Sequence, residues 1–150
     1  MIRQRLLITG MVQGVGFRPF AWRRATRLGL TGSVENTSAG VVVEIQGSAA
    51  AVFAFADGLV AAAPPLAVIE QVMARDIPPL TADGAPGLFR ILASAGGAAP
   101  HTLVPPDIAT CAACLAELRD PTNRRHGHAF ITCTDCGPRF TIIESLPYDR

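Results

Sequence analysis

The four cysteines constrain this chain more than any other feature. Cys111, Cys114, Cys133 and Cys136 are all it has, arranged as C-x2-C, 18 residues, C-x2-C. Soft thiolates in two close pairs can close a tetrahedron around zinc, and this spacing is one of the more specific patterns a sequence offers. A segment built this way takes its stability from the metal rather than from a large core. The chain therefore has two parts. Residues 93–106, Ala-Ser-Ala-Gly-Gly-Ala-Ala-Pro-His-Thr-Leu-Val-Pro-Pro, have the small-residue and proline character of a linker. Residues 1–92 form one predicted domain and 107–150 a zinc-binding segment. His126 and His128 lie between the cysteine pairs. Four thiolates already fill the site, so these histidines are expected to be exposed loop residues.

Disulfides are the competing use of four cysteines, and they belong to oxidising compartments. No apolar run reaches the ~18 residues that span a bilayer. The start, Met1 to Ile8, has the look of a leader, but Gln13 and Arg18 interrupt the apolar stretch and no small-residue cleavage site follows. A cytoplasmic protein with no membrane contact is expected, and with it zinc rather than disulfides.

Apolar residues make up 49% of the chain and charged residues 17%, enough for a packed core. All 13 basic residues are arginine. The lack of lysine excludes Walker-type nucleotide hydrolysis, pyridoxal-phosphate Schiff bases and lysine nucleophiles. Six arginines (3, 5, 18, 23, 24 and 27) precede the first carboxylate, Glu35. That field suits a small anion, although for all but Arg18 a solvated helix face and strand edges would account for it equally. Residues 101–150 hold five arginines against six carboxylates, which disfavours nucleic acid as a partner. Phe130, Phe140 and Tyr148 then read as core of the metal-stabilised unit.

Periodicity divides the first domain into strands and helices. Leu6 and Ile8 alternate with Arg5 and Leu7 in a strand near residues 2–11. Phe17, Ala21, Ala25 and Leu28 fall at helical spacing, and Gly29 ends that helix. Val34 leads a strand to Asn36, Ala39-Gly40 turns, and Val41, Val43 and Ile45 alternate with Val42, Glu44 and Gln46. Ser48 can cap a second helix carrying Val52, Phe55, Leu59 and Val60. Strands near 66–76 and 87–92 close the domain, the first without a clear inward face. The fold class is α+β, a ferredoxin-like βαββαβ sandwich followed by a small four-cysteine zinc-binding segment.

Between the first strand and helix lies Gly10-Met-Val-Gln-Gly-Val-Gly-Phe-Arg-Pro19. Gly14 and Gly16 can take positive φ, so successive amides can turn inward, and the positive end of the helix faces the same hollow. Arg18 adds a planar fork for two phosphate oxygens. A dinucleotide fingerprint would need glycine where Pro19 stands. The string Val12-Gln-Gly-Val-Gly-Phe-Arg18 resembles the acylphosphatase signature, as does Gly32-Ser-Val-Glu-Asn36 followed by Gly40-Val-Val-Val-Glu-Ile-Gln-Gly47. This resemblance implies an acylphosphatase-type sandwich, with Arg18 and Asn36 catalytic: Arg18 would bind phosphate and Asn36 would orient water. Gln13, Gly14, Val15, Gly16, Phe17 and Arg18 would bind substrate.

The rear segment has its own likeness. Pro106-Asp-Ile-Ala-Thr-Cys-Ala-Ala-Cys-Leu-Ala-Glu-Leu118, Asp120-Pro121, Arg124-Arg125 and Cys133-Thr-Asp-Cys-Gly-Pro-Arg-Phe140 resemble the front of the hydrogenase maturation carbamoyltransferases, the HypF family. The likeness implies carbamoyl phosphate as substrate, structural zinc on the four cysteines, and a maturation partner protein carrying an acceptor cysteine. ATP would be needed only by further domains of that family beyond Arg150, so the chain is expected to be a front fragment. Rival readings are a broad acylphosphatase with a zinc module and a non-catalytic zinc scaffold.

Overall fold

The computed structural model describes residues 1–81, 87–94, 109–133 and 136–137. In chain order the elements are β1 (Ile2–Met11), α1 (Phe17–Arg27), β2 (Thr31–Thr37), β3 (Gly40–Gly47), α2 (Ala49–Ala61), β4 (Val68–Ile77), β5 (Phe89–Ile91) and α3 (Ala112–Arg119). The first seven build one sheet of order β4-β1-β3-β2-β5 and the two helices packed on it. β1 pairs antiparallel with both β3 and β4, β2 antiparallel with β3, and β5 parallel with β2. The predicted split-βαβ order is therefore present, with the short β5 closing the β2 edge.

Strand alternation decides which side carries the helices. Leu6 and Ile8 of β1, Val34 of β2, and Val41, Val43 and Ile45 of β3 are buried against Phe17, Ala21 and Ala25 of α1 and Val52, Phe55 and Leu59 of α2. Each such aliphatic burial stabilises by about 1.5–3 kcal/mol relative to exposure. The two helices start differently. Ser48 caps α2 by accepting from the Ala51 amide at 3.2 Å, as its sequence position predicts. α1 begins on Gly16 with no side-chain cap.

Several expectations are corrected here. Val60 is exposed, as is Phe53. Helix α2 is apolar almost all round, so its stripe is hard to read, and Val60 lies about 100° past Leu59 on the helical wheel. On β3, Val42 and Gln46 are buried although alternation points them away from the helices. The hydrogen bonds of Gln46 account for its burial: its Nε2 donates to the Leu80 carbonyl at 3.1 Å, and its Oε1 accepts from the Leu80 amide at 2.7 Å. The segment after β4 thus folds back to that side of the central strand. The ambiguous strand β4 packs Ile69 and Val72 against the core and leaves Val68 and Met73 exposed.

The cluster of N-terminal arginines also resolves. Arg5 stands directly across from Glu44 in the β1–β3 register, and both Arg3 and Arg5 pair with that carboxylate, at 2.5 and 3.1 Å. Arg24 crosses from α1 to α2, its Nε donating to the Phe55 carbonyl at 3.1 Å. These three are structural ties rather than a general anion field.

Candidate anion-binding loop and metal centre

Residues 12–16 connect β1 to α1, and their conformation follows from glycine. Gly14 has φ +72° and Gly16 φ +76°, a region that side chains with a Cβ rarely enter. The first backbone bond of α1 runs from the Phe20 amide to the Gly16 carbonyl at 3.1 Å. Amides before Phe20 therefore precede the intrahelical ladder, which is the usual state of a helix start and a ready donor set for an anion. Arg18 is the second residue of this helix. No acidic residue stands in the first turn to compete.

Asn36 reaches the same end of the sheet through strand register. It lies opposite Val41 on β3, and Val41 lies opposite Ile8 on β1. Asn36 is only 1% exposed. The loop is held against this hairpin by Gln13, also 1% exposed. Its Nε2 donates to the Thr37 carbonyl at 2.8 Å and to the Gly40 carbonyl at 3.1 Å. Gln13, expected among the substrate-binding residues, thus uses its side-chain nitrogen to tie the glycine turn to the β2–β3 turn. Sequence reading missed Thr37 and Gly40 as its partners, because nothing local marks a carbonyl 24 or 27 residues away.

The second site is the sulfur cluster. Cys111 caps α3, its Sγ accepting from the Cys114 amide, and in the second pair the direction is reversed, the Cys133 N–H donating to the Cys136 Sγ. The four Sγ atoms lie within 4.8 Å of one another. Three separations are 3.6 Å (Cys111–Cys133), 3.9 Å (Cys114–Cys136) and 3.8 Å (Cys133–Cys136). A tetrahedral ion with metal–sulfur bonds of about 2.3 Å needs sulfurs about 3.8 Å apart, which these three separations match. Burial, and then the Cys133, Cys111 and Cys136 sulfurs, push the Cys114 thiol far above its ordinary 9.0. A bound cation reverses that preference and holds the thiolate.

Around the sulfurs, Cys114, Cys136 and Ile131 form a buried apolar cluster, with Leu118 packed on them. Phe130 is 73% exposed, which overturns its expected place in this core. Its neighbour Ile131 takes that role. His126 and His128 are exposed, and among the described residues the candidate ligand group holds cysteines alone. Phe140, Tyr148 and nearly all of the expected linker at 93–106 lie outside the described residues. Among the described residues, no helix is long and apolar enough to cross a membrane.

Comparison with known proteins matches both sites. The acylphosphatase family model covers residues 4–85, and the HypF finger model covers residues 110–143. Carbamoyltransferase HypF2 of Cupriavidus necator is 50% identical over 151 aligned positions, which cover 99% of this chain and 18% of that protein. Carbamoyltransferase HypF of Rhodobacter capsulatus is 47% identical, covering 97% of this chain and 19% of that protein. The chain thus spans about a fifth of the length of these relatives. A smaller relative, the acylphosphatase of Mannheimia succiniciproducens, is 40% identical over 77 residues, 51% of this chain and 84% of that enzyme. In structure, full-length HypF in its phosphate- and nucleotide-bound form superposes with a TM-score of 0.90 at 38% identity, over 99% of this chain and 19% of that one. The acylphosphatase of Bacillus subtilis does so with a TM-score of 0.55 at 28% identity, over 61% of this chain and 99% of that one. Sequence, sheet order and the glycine-turned helix start agree: the chain belongs to the acylphosphatase family, with a HypF-type cysteine finger following its acylphosphatase domain.

Proposed function

We propose that this chain is the carbamoyl-phosphate-hydrolysing part of a hydrogenase maturation carbamoyltransferase. The observation that supports it most is the glycine-turned, side-chain-uncapped start of α1 carrying Arg18, tied by Gln13 to the hairpin that buries Asn36. In this reading the amides of residues 14–18 and the Arg18 fork hold the phosphoryl oxygens. Asn36 orients a water in line with the bond to be broken. The water oxygen bonds to phosphorus as the phosphorus–oxygen bond to the carbamoyl group breaks. The products are phosphate, which keeps the water protons, and carbamate, which leaves with the bonding electron pair. A carbamate needs no protonation to depart, so the site requires no general acid. Catalysis then rests on positioning and on stabilising charge across the equatorial oxygens.

The four cysteines hold structural zinc in this reading, closing the finger without joining the chemistry. Carbamate would go on to ATP-dependent activation in further domains and to a cysteine of a maturation partner protein. The match over most of a small acylphosphatase favours a second reading, a broad acyl-phosphate hydrolase. Phosphate release separates the two. The expected result is turnover of carbamoyl phosphate well above acetyl phosphate, with Arg18→Ala lowering the rate by about 10²–10³ or more. Equal rates on both substrates would support the broad enzyme, and an unaffected Arg18→Ala would remove the loop from the reaction.

A further inference from the structure

Among the described residues, the finger approaches the anion loop at Gly137, which lies against the backbone of Gly14. Gly137 follows the last cysteine, is buried, and has φ +65°. Its amide donates to the Cys133 carbonyl at 2.9 Å, closing the turn that holds two of the four sulfurs. A methyl group placed on Gly137 would lie 1.6 Å from the Gly14 carbonyl oxygen, 2.8 Å from its carbon and 3.6 Å from the Val15 nitrogen. The finger's turn therefore rests directly on the peptide that joins Gly14 to Val15. Only a residue without a side chain can make that approach.

A trans peptide is planar, and its carbonyl and N–H point to opposite sides. With the Gly14 carbonyl set against Gly137, the Val15 N–H is turned away from the finger. Such a peptide could otherwise turn over by rotation about ψ of Gly14 and φ of Val15, and Gly14, with no Cβ, opposes that rotation least. We infer that the metal-closed Cys133–Gly137 turn is a positioning element for the anion loop, fixing the Gly14–Val15 peptide so that the Val15 N–H faces the phosphate. This inference rests on the reading of residues 14–18 as the phosphate cradle. It couples the two parts of the chain: filling the cysteine site tightens phosphate binding at a loop far away in sequence.

The test uses the zinc-loaded 150-residue chain, inorganic phosphate as probe, and two alanine variants. Gly127 has φ +68° with nothing within 4 Å of an added methyl, so Gly127→Ala carries similar backbone strain in the finger without touching the loop. Gly137→Ala is expected to retain zinc and weaken phosphate binding by at least about tenfold, with Gly127→Ala within about twofold of the parent. Equal affinities for Gly137→Ala and the parent, or equal losses in both variants, would overturn the inference. The amide resonances of Gly14 and Val15 in the unsubstituted chain provide a readout independent of both variants. They are expected to shift when a chelator removes the zinc, and unmoved resonances would refute the coupling even if Gly137→Ala lost its metal. A zinc-loaded parent chain that binds no phosphate would instead overturn the cradle reading, with the amide shifts still deciding the contact.

Discussion

Replacing Gln13 by leucine tests whether the loop is held by the β2–β3 turn. Leucine keeps much of the buried volume, so the perturbation includes the loss of the hydrogen bonds at 2.8 and 3.1 Å and leaves no large cavity. Each neutral hydrogen bond contributes about 0.5–1.5 kcal/mol net. The Gly40 carbonyl also accepts from the Thr37 hydroxyl at 3.1 Å, so the larger part of the cost falls on the Thr37 carbonyl, the shorter contact. Together these give a destabilisation of about 1–3 kcal/mol. For a domain of this size, each kcal/mol moves the midpoint by about 4–8 °C, so Gln13→Leu should melt on the order of 10 °C lower. The single tryptophan reports it cleanly, because Trp22 lies on α1 and its indole N–H donates to the Phe89 carbonyl at 3.1 Å, across to β5. A loosened loop should also raise KM for the acyl phosphate more than it lowers kcat. A midpoint within about 2 °C of the parent, with unchanged kinetic constants, would refute the tether.

Three further predictions concern the helix pair, the metal and the metal-free finger. Gly58→Ala, which in a helix interior usually stabilises by about 1 kcal/mol, should here be neutral or destabilising, because the new methyl would meet the Arg24 guanidinium. Thermal melts of Gly58→Ala with and without Arg24→Ala check this, and a gain in Gly58→Ala alone would contradict the Arg24 placement. Zinc affinity should fall by about a hundredfold or more between pH 8 and pH 6, since each ligand thiol must lose its proton to bind. Competition with a chromophoric chelator measures it, and a flat profile would argue against thiolate ligands. The metal-free finger should respond in the opposite direction. Its buried Cys114 holds a proton more tightly folded than unfolded, so stability present below the ordinary thiol value of 9.0 is lost as pH rises above it.

The strand and helix order of the first domain, the glycine-turned loop and the sulfur cluster were legible in the sequence, because each depends on local rules, whereas α3 was not expected. Period-two alternation marked β1 and β3, glycines at 14 and 16 marked the turn, and paired C-x2-C spacing marked the finger. Val60 and Phe130 misled for a shared reason: in an alanine-rich helix and a short metal-closed unit, hydrophobicity alone does not say which apolar residue faces inward. What a sequence cannot carry is the partner of a group whose mate lies far along the chain. The hairpin carbonyls that accept from the Gln13 side chain lie 24 and 27 residues away. Arg24 looked like a solvated surface charge until α2 came alongside. Gly137 lies far along the chain from Gly14, yet its missing side chain admits the Gly14 carbonyl. By itself the sequence determined which residues could bind an anion and a metal, since that is a matter of chemical type and short spacing. Only the tertiary structure decided which of them meet, because hydrogen-bond direction and backbone approach depend on how distant segments are brought together.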